Sequence, residues 1–308
     1  MQHLRIATRR SALALWQAEH VAARLREHHP DVEVTLVPIV TTGDRIQDRP
    51  LAAVGGKGLF IKELEVAMSE GRAELAVHSM KDVPAVLPEG FMIAAVLPRA
   101  DPRDAFLSLK HASFASLPRG ARVGTSSQRR QSILRSVRPD LEIVPLRGNV
   151  DTRLRKLDEG SFDAVILAAA GLIRLGFGAR ITEYLAPMLS LPAVGQGIVG
   201  IECRDDPAVL GRLAVLEDGP TRSCLTAERA LAARLEGSCT SPIAGYAELA
   251  GGELKLEGYV GAPDGRLIFR DRIVGRPADA AALGRTLAER LLGAGAAALL
   301  EALRAQGV

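Results

Sequence analysis

The first two thirds of the chain alternate between short apolar runs and amphipathic segments, and this alternation limits the possible folds most. Residues 4–8, 33–40 and 74–80 have the pattern of strands, whereas residues 11–27 and 59–70 carry apolar side chains at helical spacing. Strands that alternate with helices favour parallel sheets joined by crossover helices. We therefore predict an α/β fold built from doubly wound sheets.

An internal repeat predicts two related lobes. The segment Glu70-Gly-Arg-Ala-Glu-Leu-Ala-Val-His-Ser79 resembles residues 159–168, and residues 6–11 parallel residues 123–130. Because both pairs occur in the same order, we expect two α/β lobes with a cleft between them. A strand predicted at residues 193–203 would cross back from the second lobe to the first.

The pattern changes after about residue 219, where a third domain is expected. A helix at 221–235 precedes two alternating runs, 253–260 and 267–274, which flank the turn Ala262-Pro-Asp-Gly265 and predict antiparallel strands. An Ala/Leu-rich helical region at 278–306 follows, with a possible break at Gly293 and Gly295. The predicted domains are α/β domain 1 (1–97 plus 198–217), α/β domain 2 (98–197) and a small α+β domain 3 (218–308).

Composition excludes several protein classes. A formal charge of +3 is too small to indicate nucleic-acid binding by itself, although only six of the 39 basic residues are lysine and the rest are arginine. The first strand pattern begins at Leu4, which leaves no room for a signal peptide, and the longest apolar run, 164–173, is too short to span a bilayer. The cysteines and histidines lack metal-ligand spacing. We therefore expect a cytoplasmic protein without a metal.

The segment Glu74-Leu-Ala-Val-His-Ser-Met-Lys-Asp-Val-Pro84 has the pattern of a buried strand whose end carries Lys81 and Asp82. In open α/β sheets, ligands bind at the carboxyl ends of strands. We therefore place this charged pair at the ligand site, and we expect Asp82 to be the lone carboxylate among arginines. His78, within the apolar strand, is interpreted as a satisfied polar core residue.

Arginines recur just after predicted strands and at helix starts. Thr125-Ser-Ser-Gln-Arg-Arg-Gln131 opens a helix, where backbone amides, hydroxyls and two guanidinium groups could bind an anion. The alternative is an ordinary helix cap with two solvated arginines. Repetition favours an anion site that takes several carboxylates or phosphates. The other arginines concerned are Arg9 beside Ser11, Arg147, Arg153, and Arg174 after a strand end predicted at 168–171.

Two further motifs are ambiguous from the residues alone. Gly55-Gly-Lys57-Gly58 lacks the spacing of a phosphate-binding loop and is interpreted as a mobile lid that carries Lys57. Cys203 and Cys224 fall on apolar faces and are expected in the core. Cys239 lies in a small polar loop after a helix, so either a reactive thiol or an inert one is possible.

Taken together, these segments resemble the porphobilinogen deaminase (hydroxymethylbilane synthase) family, and the matching runs span nearly the whole chain in the family's order. The runs are Arg5-Ile-Ala-Thr-Arg9, Val54-Gly-Gly-Lys-Gly-Leu-Phe60, residues 76–84, Asp101-Pro-Arg-Asp-Ala105, residues 123–127 with Arg129 and Arg130, Leu146-Arg-Gly-Asn-Val150, Leu191-Pro-Ala-Val-Gly-Gln-Gly197, and Leu235-Glu-Gly with Cys239.

The resemblance implies a transferase that adds four porphobilinogen units head to tail, with loss of ammonia, and releases hydroxymethylbilane by hydrolysis. It implies a dipyrromethane cofactor that the enzyme assembles from its own substrate and binds to Cys239 through a thioether, with Asp82 serving the proton chemistry. It also implies two lobes shaped like periplasmic binding proteins, in a monomer that binds neither nucleic acid nor membrane. The implied cofactor-binding residues are Lys81, Ser79, Thr125, Ser127, Arg129 and Arg130. The implied substrate-binding residues are Arg9, Ser11, Arg147, Arg153, Arg174 and Gln196, and the lid residues are Lys57 and Phe60.

Some positions depart from the commonest family pattern. Ala12 stands where proline is frequent, Thr42 where arginine is frequent and Ala53 where lysine is frequent, and the cysteine loop contains Thr240-Ser241. None of these changes removes a predicted catalytic group. They leave the electrostatics of the lid and the orientation of Cys239 open.

Two other classes of function compete with this interpretation. A non-catalytic solute-binding protein for a polycarboxylate would also have two lobes and an arginine-lined cleft. The cysteine loop and the expected absence of a signal peptide count against it. A DNA-binding protein is disfavoured because the sequence has no helix-turn-helix signal, and arginines at strand ends line a cleft rather than a surface stripe.

Overall fold

The computed structural model describes residues 3–45, 61–236 and 241–305. The chain forms two compact units, Met1–Ala100 with Ile198–Arg222 (unit 1) and Asp101–Gly197 with Ser223–Val308 (unit 2). The division into three domains predicted above therefore stays a prediction.

The strands and helices follow the alternation expected from the sequence. The strands are β1 His3–Arg9, β2 Glu33–Ile39, β3 Leu75–Ser79, β4 Phe91–Val96, β5 Asp104–Leu107, β6 Arg122–Gly124, β7 Glu142–Val144, β8 Ala164–Ala168, β9 Glu183–Leu185, β10 Val199–Arg204, β11 Ile243–Ala250, β12 Glu253–Gly261 and β13 Ile268–Gly275. The helices are α1 Ala12–His28, α2 Thr42–Arg45, α3 Lys62–Ser69, α4 Gln128–Val137, α5 Val150–Asp158, α6 Ala169–Arg174, α7 Pro207–Leu213, α8 Gly219–Arg234, α9 Ala280–Leu291 and α10 Ala297–Ala305.

Unit 1 contains a five-stranded sheet in the order β2-β1-β3-β10-β4. β1 runs parallel to β2 and β3, whereas β10 runs antiparallel to β3 and β4. On one face, α1 and α7 pack through residues such as Leu25 and Leu213 against Leu75 and Ile201 of the sheet. The strand predicted to cross back is confirmed as β10, although it begins at Val199 rather than at residue 193.

Unit 2 repeats this arrangement in a sheet of order β7-β6-β8-β5-β9, in which β6 is parallel to β7 and β8 while β5 is antiparallel to β8 and β9. β6 thus corresponds to β1, and β8 to β3, as the internal repeat predicts. The α/β fold is confirmed. The single antiparallel strand in each sheet was not predicted from the alternation.

The carboxyl-terminal part of unit 2 is a three-stranded antiparallel sheet, β11-β12-β13. It shares a core with α8, α9 and α10, and it contacts α4 through a second cluster formed by Ile133, Leu191, Ala244 and Tyr259. A π-helical turn, Leu292–Ala296, separates α9 from α10, and Gly295 has a φ of 118° there. The predicted α+β character and the helix break are confirmed, whereas β11 was not predicted.

One local prediction is wrong. The residues before Arg174 were expected to end a strand at 168–171, but β8 ends at Ala168 and α6 begins at Ala169. Arg174 is therefore the last residue of a short helix. Among the helices in the described ranges, none has the length and apolar character needed to cross a membrane.

Candidate active site

In unit 1, the predicted Lys81-Asp82 pair lies in a single 3₁₀ turn, Met80–Asp82, directly after β3. The turn is held by Met80, whose side chain is buried and whose amide donates to the carbonyl of Ile198 at 3.0 Å. Asp82 is half-buried, and its carboxylate has no hydrogen-bond or ion-pair partner among the residues that the structure describes. The turn therefore presents an unengaged carboxylate at the carboxyl end of a buried strand.

Three other predicted residues lie near the carboxyl ends of β1 and β3, which are parallel neighbours in the sheet. Arg9 ends β1, and Ser11 caps α1 by accepting a hydrogen bond from the amide of Ala14 at 3.3 Å. Ser79 ends β3, and its hydroxyl accepts a 2.8 Å bond from Nε2 of Gln17 on α1. Unit 1 thus places Arg9, Ser11, Ser79, Lys81 and Asp82 along one edge of its sheet, where ligands of open α/β sheets bind.

In unit 2, the loop after β6 forms the start of α4. Thr125 is buried, and its Oγ1 accepts a 3.2 Å bond from the amide of Ser127. Ser127 is the helix cap, since its Oγ accepts from the amide of Arg130 at 3.4 Å. Ser126 Oγ both donates to the carbonyl of Leu146 and accepts from its amide, each at 3.0 Å, which ties this loop to the end of the neighbouring strand.

Arg129 and Arg130 are not the solvated arginines of the alternative interpretation. They are only 3% and 6% exposed, and both bind the fully buried carboxylate of Asp104 at the start of β5. Arg129 donates to it from Nη1 at 2.9 Å and from Nη2 at 3.1 Å, and Arg130 from Nε at 3.0 Å and from Nη2 at 2.7 Å. Ser190 and Gln196 complete the cluster with bonds of 2.7 Å and 3.0 Å to the same carboxylate.

Asp104 was missed in the sequence interpretation, and the expectation that Asp82 is the lone carboxylate among the arginines is wrong. The sequence signals are an acid at the first position of the apolar run Asp104-Ala-Phe-Leu107 and the place of that acid in the matching run Asp101-Pro-Arg-Asp-Ala105. Burial alone would raise the pKa of Asp104, but Arg129 and Arg130 outweigh burial and hold that pKa far below its usual range. Asp104 is therefore ionised and permanently engaged, which distinguishes it from Asp82.

Arg147 and Arg153 flank the end of β7 and the start of α5. Arg147 is half-buried and has no partner among the described residues, whereas Nε of Arg153 donates to the carbonyl of Gly148 at 2.8 Å. Gly148 has a φ of 111°, and a Cβ built there would lie 2.6 Å from a methyl carbon of Thr152. The turn between Arg147 and α5 therefore requires glycine.

Arg174 and Gln196 lie in the same unit and are both tied to backbone carbonyls. Nη2 of Arg174 donates to the carbonyl of Gly197 at 2.8 Å, and burial lowers the pKa of Arg174 to about 10. Gln196 is almost fully buried and donates from Nε2 to the carbonyl of Pro102 at 2.7 Å. Gln196 thus joins the Asp104 cluster, in which the structure brings together Arg129, Arg130 and Gln196.

Cys239, Lys57 and Phe60 lie outside the described residues, as does Ala53. Cys203 and Cys224 are buried, as expected, and burial raises the pKa of the Cys203 thiol to about 11. His78 is a satisfied core residue, since its Nε2 lies 2.8 Å from an oxygen of Glu202. In the described part of the chain, no group of three or more His, Cys, Asp or Glu side chains could hold a metal ion.

The chain is distantly similar to solved structures of binding proteins. A nutrient-binding protein from Burkholderia cenocepacia bound to methionine is 12% identical, with a TM-score of 0.43, and the match covers 68% of this chain and 90% of that one. The family assignment consequently rests on the sequence matches.

The sequence matches cover nearly the whole chain. Residues 4–211 match the family model described as "Porphobilinogen deaminase, dipyromethane cofactor binding domain", and residues 222–293 match "Porphobilinogen deaminase, C-terminal domain". Porphobilinogen deaminases from Xanthomonas euvesicatoria pv. vesicatoria and Xanthomonas axonopodis pv. citri are each 57% identical over 305 residues, which is 98% of this chain and 100% of each relative. This chain belongs to the porphobilinogen deaminase family.

Proposed function

We propose that Asp82 is the acid that serves each round of porphobilinogen condensation, and that the product grows from a dipyrromethane bound through Cys239. Family membership defines the enzyme as a transferase that makes hydroxymethylbilane with a dipyrromethane cofactor. The observation that carries the residue assignment is the unengaged carboxylate of Asp82 at the carboxyl end of β3. A carboxylate without an internal partner is available to a substrate.

The chemistry requires one nearby anion. In each round the bond between the methylene carbon and the amino group of porphobilinogen breaks, ammonia leaves, and a cationic species remains. A new carbon–carbon bond forms to that methylene, and a proton leaves the pyrrole carbon that was attacked. A carboxylate beside the reacting atoms stabilises the cation electrostatically and can accept the proton. Asp82 suits this role because it is half-buried and therefore less screened by solvent.

The arginines suit the charge of the substrate. Each pyrrole unit carries two carboxylates, and a guanidinium group can bind a carboxylate through two parallel hydrogen bonds. We propose that the residues expected from the sequence bind the carboxylates of the incoming substrate and of the growing chain. These residues are Arg9, Ser11, Arg147, Arg153, Arg174 and Gln196. Of these, Arg147 has no partner among the described residues, so it is the most available for a substrate carboxylate.

The described residues also fit the cofactor, whose terminal pyrrole, when bound, supplies the carbon onto which the first unit is added. Nε of Arg129 is buried and has no acceptor among the described residues, which is the donor that a cofactor carboxylate needs. We assign Lys81, Ser79, Thr125, Ser127, Arg129 and Arg130 to the cofactor carboxylates. Lys57 and Phe60 are assigned to a lid.

We also propose a cytoplasmic monomer of three domains, which binds porphobilinogen and neither nucleic acid nor membranes. The antiparallel sheet β11-β12-β13, with its own core cluster, supports a separate third domain. Cys239 falls between α8 and β11 in sequence, so the cofactor would be attached between the first helix and the first strand of that domain.

The intact mass of the purified protein tests this proposal. We expect an excess that corresponds to one dipyrromethane in the wild type and its loss in Cys239→Ser. Incubation with porphobilinogen should release ammonia from the wild type only. An unmodified wild-type protein with full activity would contradict the cofactor assignment, and binding without ammonia release would indicate a non-catalytic carboxylate-binding protein.

A further inference from the structure

We propose that Asp104 is a positioning residue, which orients Arg129 and Arg130 as a preformed receptor for the carboxylates of the dipyrromethane. This inference rests on the function proposed above and adds a residue to it. Asp104 itself would touch neither cofactor nor substrate.

The geometry around Asp104 immobilises both arginines. The two oxygens of its carboxylate together accept two bonds from each guanidinium group, and further bonds from Ser190 and Gln196 keep the carboxylate itself in place. Arg129 is additionally tied to the carbonyl of Leu191, and Arg130 to the carbonyl of Ile166. Neither guanidinium group can rotate without breaking several charge-assisted hydrogen bonds.

The charge balance indicates that an anion is expected there. Two buried guanidinium groups face one buried carboxylate, so the cluster carries one excess positive charge. Burying a charge without compensation is costly, because the lost hydration is not replaced. Both arginines also lie in the first turn of α4, where the helix dipole disfavours cations. One of the two arginines would be enough to neutralise the charge of Asp104.

The unused donors show where the anion would bind. A guanidinium group has five N–H donors. Arg129 uses both hydrogens of Nη1, toward Asp104 and Leu191, and one hydrogen of Nη2 toward Asp104. Nε and the second hydrogen of Nη2 remain, and Nε is buried without an acceptor among the described residues. These two donors form one edge of the guanidinium plane, the arrangement that binds a carboxylate through two bonds.

The ionisation of Asp104 supports the same role. Because the pKa of its carboxyl lies far below the usual range, Asp104 stays charged at every pH at which the enzyme would work. The orientation of the two arginines therefore does not vary with pH.

The proposal is tested by the rate at which cofactor is acquired. Asp104→Asn keeps the size of the side chain but removes its charge, and Asp104→Glu keeps the charge but moves it by one methylene. Asp140→Asn is the matched control, since Asp140 binds Arg138, next to the last residue of α4, at 2.7 Å. Folded protein would be isolated by size-exclusion chromatography and checked by circular dichroism. Its mass would then be followed during incubation with porphobilinogen.

We expect folded Asp104→Asn to be isolated largely without the dipyrromethane mass, and to acquire it at least about tenfold more slowly than the wild type, a common loss when an orienting residue is removed. Asp104→Glu should be intermediate, and Asp140→Asn should match the wild type. A merely structural role would lower the melting temperature but leave the rate unchanged in the folded fraction, and that result would overturn the proposal.

Two further outcomes are decisive. If Asp104→Asn yields no folded protein, the rate at which Asp104→Glu acquires the cofactor tests the proposal instead. A wild-type rate of cofactor acquisition in Asp104→Glu would overturn it. If the wild type and Asp140→Asn both lack the dipyrromethane mass, the proposed function is wrong, and this inference, which depends on it, is wrong as well.

Discussion

The hydroxyl group of Tyr259 on β12 lies 2.8 Å from the hydroxyl group of Ser132 on α4, and both residues are buried. This bond connects the carboxyl-terminal sheet to the helix that carries Arg129 and Arg130. The surrounding contact is apolar and consists of Ile133, Leu191 and Ala244. The bond is therefore shielded from water, and removing one partner leaves the other unsatisfied.

We predict that Tyr259→Phe lowers the free energy of unfolding by about 1–3 kcal/mol, because a buried hydroxyl of Ser132 loses its partner. Chemical denaturation followed by circular dichroism would measure the change. The double variant Tyr259→Phe with Ser132→Ala should recover part of the loss, since no unpaired hydroxyl remains. Tyr184→Phe, whose ring stacks on Arg103, serves as the control. An equal loss in the free energy of unfolding in Tyr259→Phe and in the double variant would contradict this explanation.

We predict that Asp82→Asn reduces the rate of ammonia release by roughly a hundredfold or more, the usual contribution of a positioned acid or base. The variant should retain the dipyrromethane mass, and its free energy of unfolding should change by less than about 0.5 kcal/mol, because the carboxylate has no partner among the described residues. Steady-state kinetics, intact mass and denaturation would be measured together. Glu89→Gln, an exposed acid shortly before β4, is the control. Wild-type rates in Asp82→Asn would remove it from the mechanism.

We predict that Arg147→Leu changes the distribution of enzyme-bound intermediates, because a substrate carboxylate loses its guanidinium partner. Native mass spectrometry during turnover would show accumulation of early intermediates. Arg155→Leu is a suitable control, since Arg155 lies on the adjacent α5 and pairs with Glu159 at the surface. The same distribution in Arg147→Leu and the control would place Arg147 outside the substrate path.

Arg153→Leu should also change the distribution of enzyme-bound intermediates, and it should in addition destabilise the fold. Nε of Arg153 donates to the carbonyl of Gly148, so the substitution also releases the turn that carries Arg147. We therefore expect a lower melting temperature together with the altered intermediates. A melting temperature equal to that of the wild type would show that this bond contributes little to the turn.

Glu65 should make the stability of the protein depend on pH. Burial raises the pKa of Glu65, and the neighbouring carboxylate of Glu202 raises it further, although His78 opposes the shift. The folded state therefore binds this proton more tightly than the unfolded chain. The contribution to stability is complete below the ordinary pKa of 4.5 and is lost as the pH rises through the raised value.

We accordingly predict that Glu65→Gln flattens the decline in the free energy of unfolding above pH 4.5, because the amide cannot ionise. Denaturation across a pH series would measure this slope. Glu70→Gln, at the exposed end of the same helix, should leave the slope unchanged. An identical slope in Glu65→Gln and the wild type would show that Glu65 does not carry the effect.

The sequence predicts those features of the fold that depend on local pattern. The correspondence of β1 with β6, and of β3 with β8, is visible because both copies keep the same glycine, acid and apolar order. β5 was missed because it has only four residues and, unlike the three-residue β6, it is not marked by the internal repeat. β11 was missed although Gly251-Gly252, both with positive φ, marks a two-residue turn into β12, because the residues of β11 itself do not alternate cleanly between apolar and polar.

The candidate site shows the same limit. The positions of Asp82 and of most of the arginines follow from strand ends and helix starts, which a sequence shows, although Arg174 ends a helix rather than following a strand. Their partners do not, because Asp104 lies 25 and 26 positions from the arginines that it binds. An ion pair at that separation forms only once the fold brings β5 beside β8 and α4.

The place of β10 in the first sheet has a consequence for biosynthesis. β10 is the only strand that pairs with β4 in the described part of the sheet, and it is made about a hundred residues after β4, the last of the other strands in that sheet. As the chain leaves the ribosome, one edge of β3 therefore remains without a neighbouring strand until residue 204 has emerged. The strand that supports the turn bearing Asp82 is thus completed late, after all of the sheet in unit 2 has been synthesised.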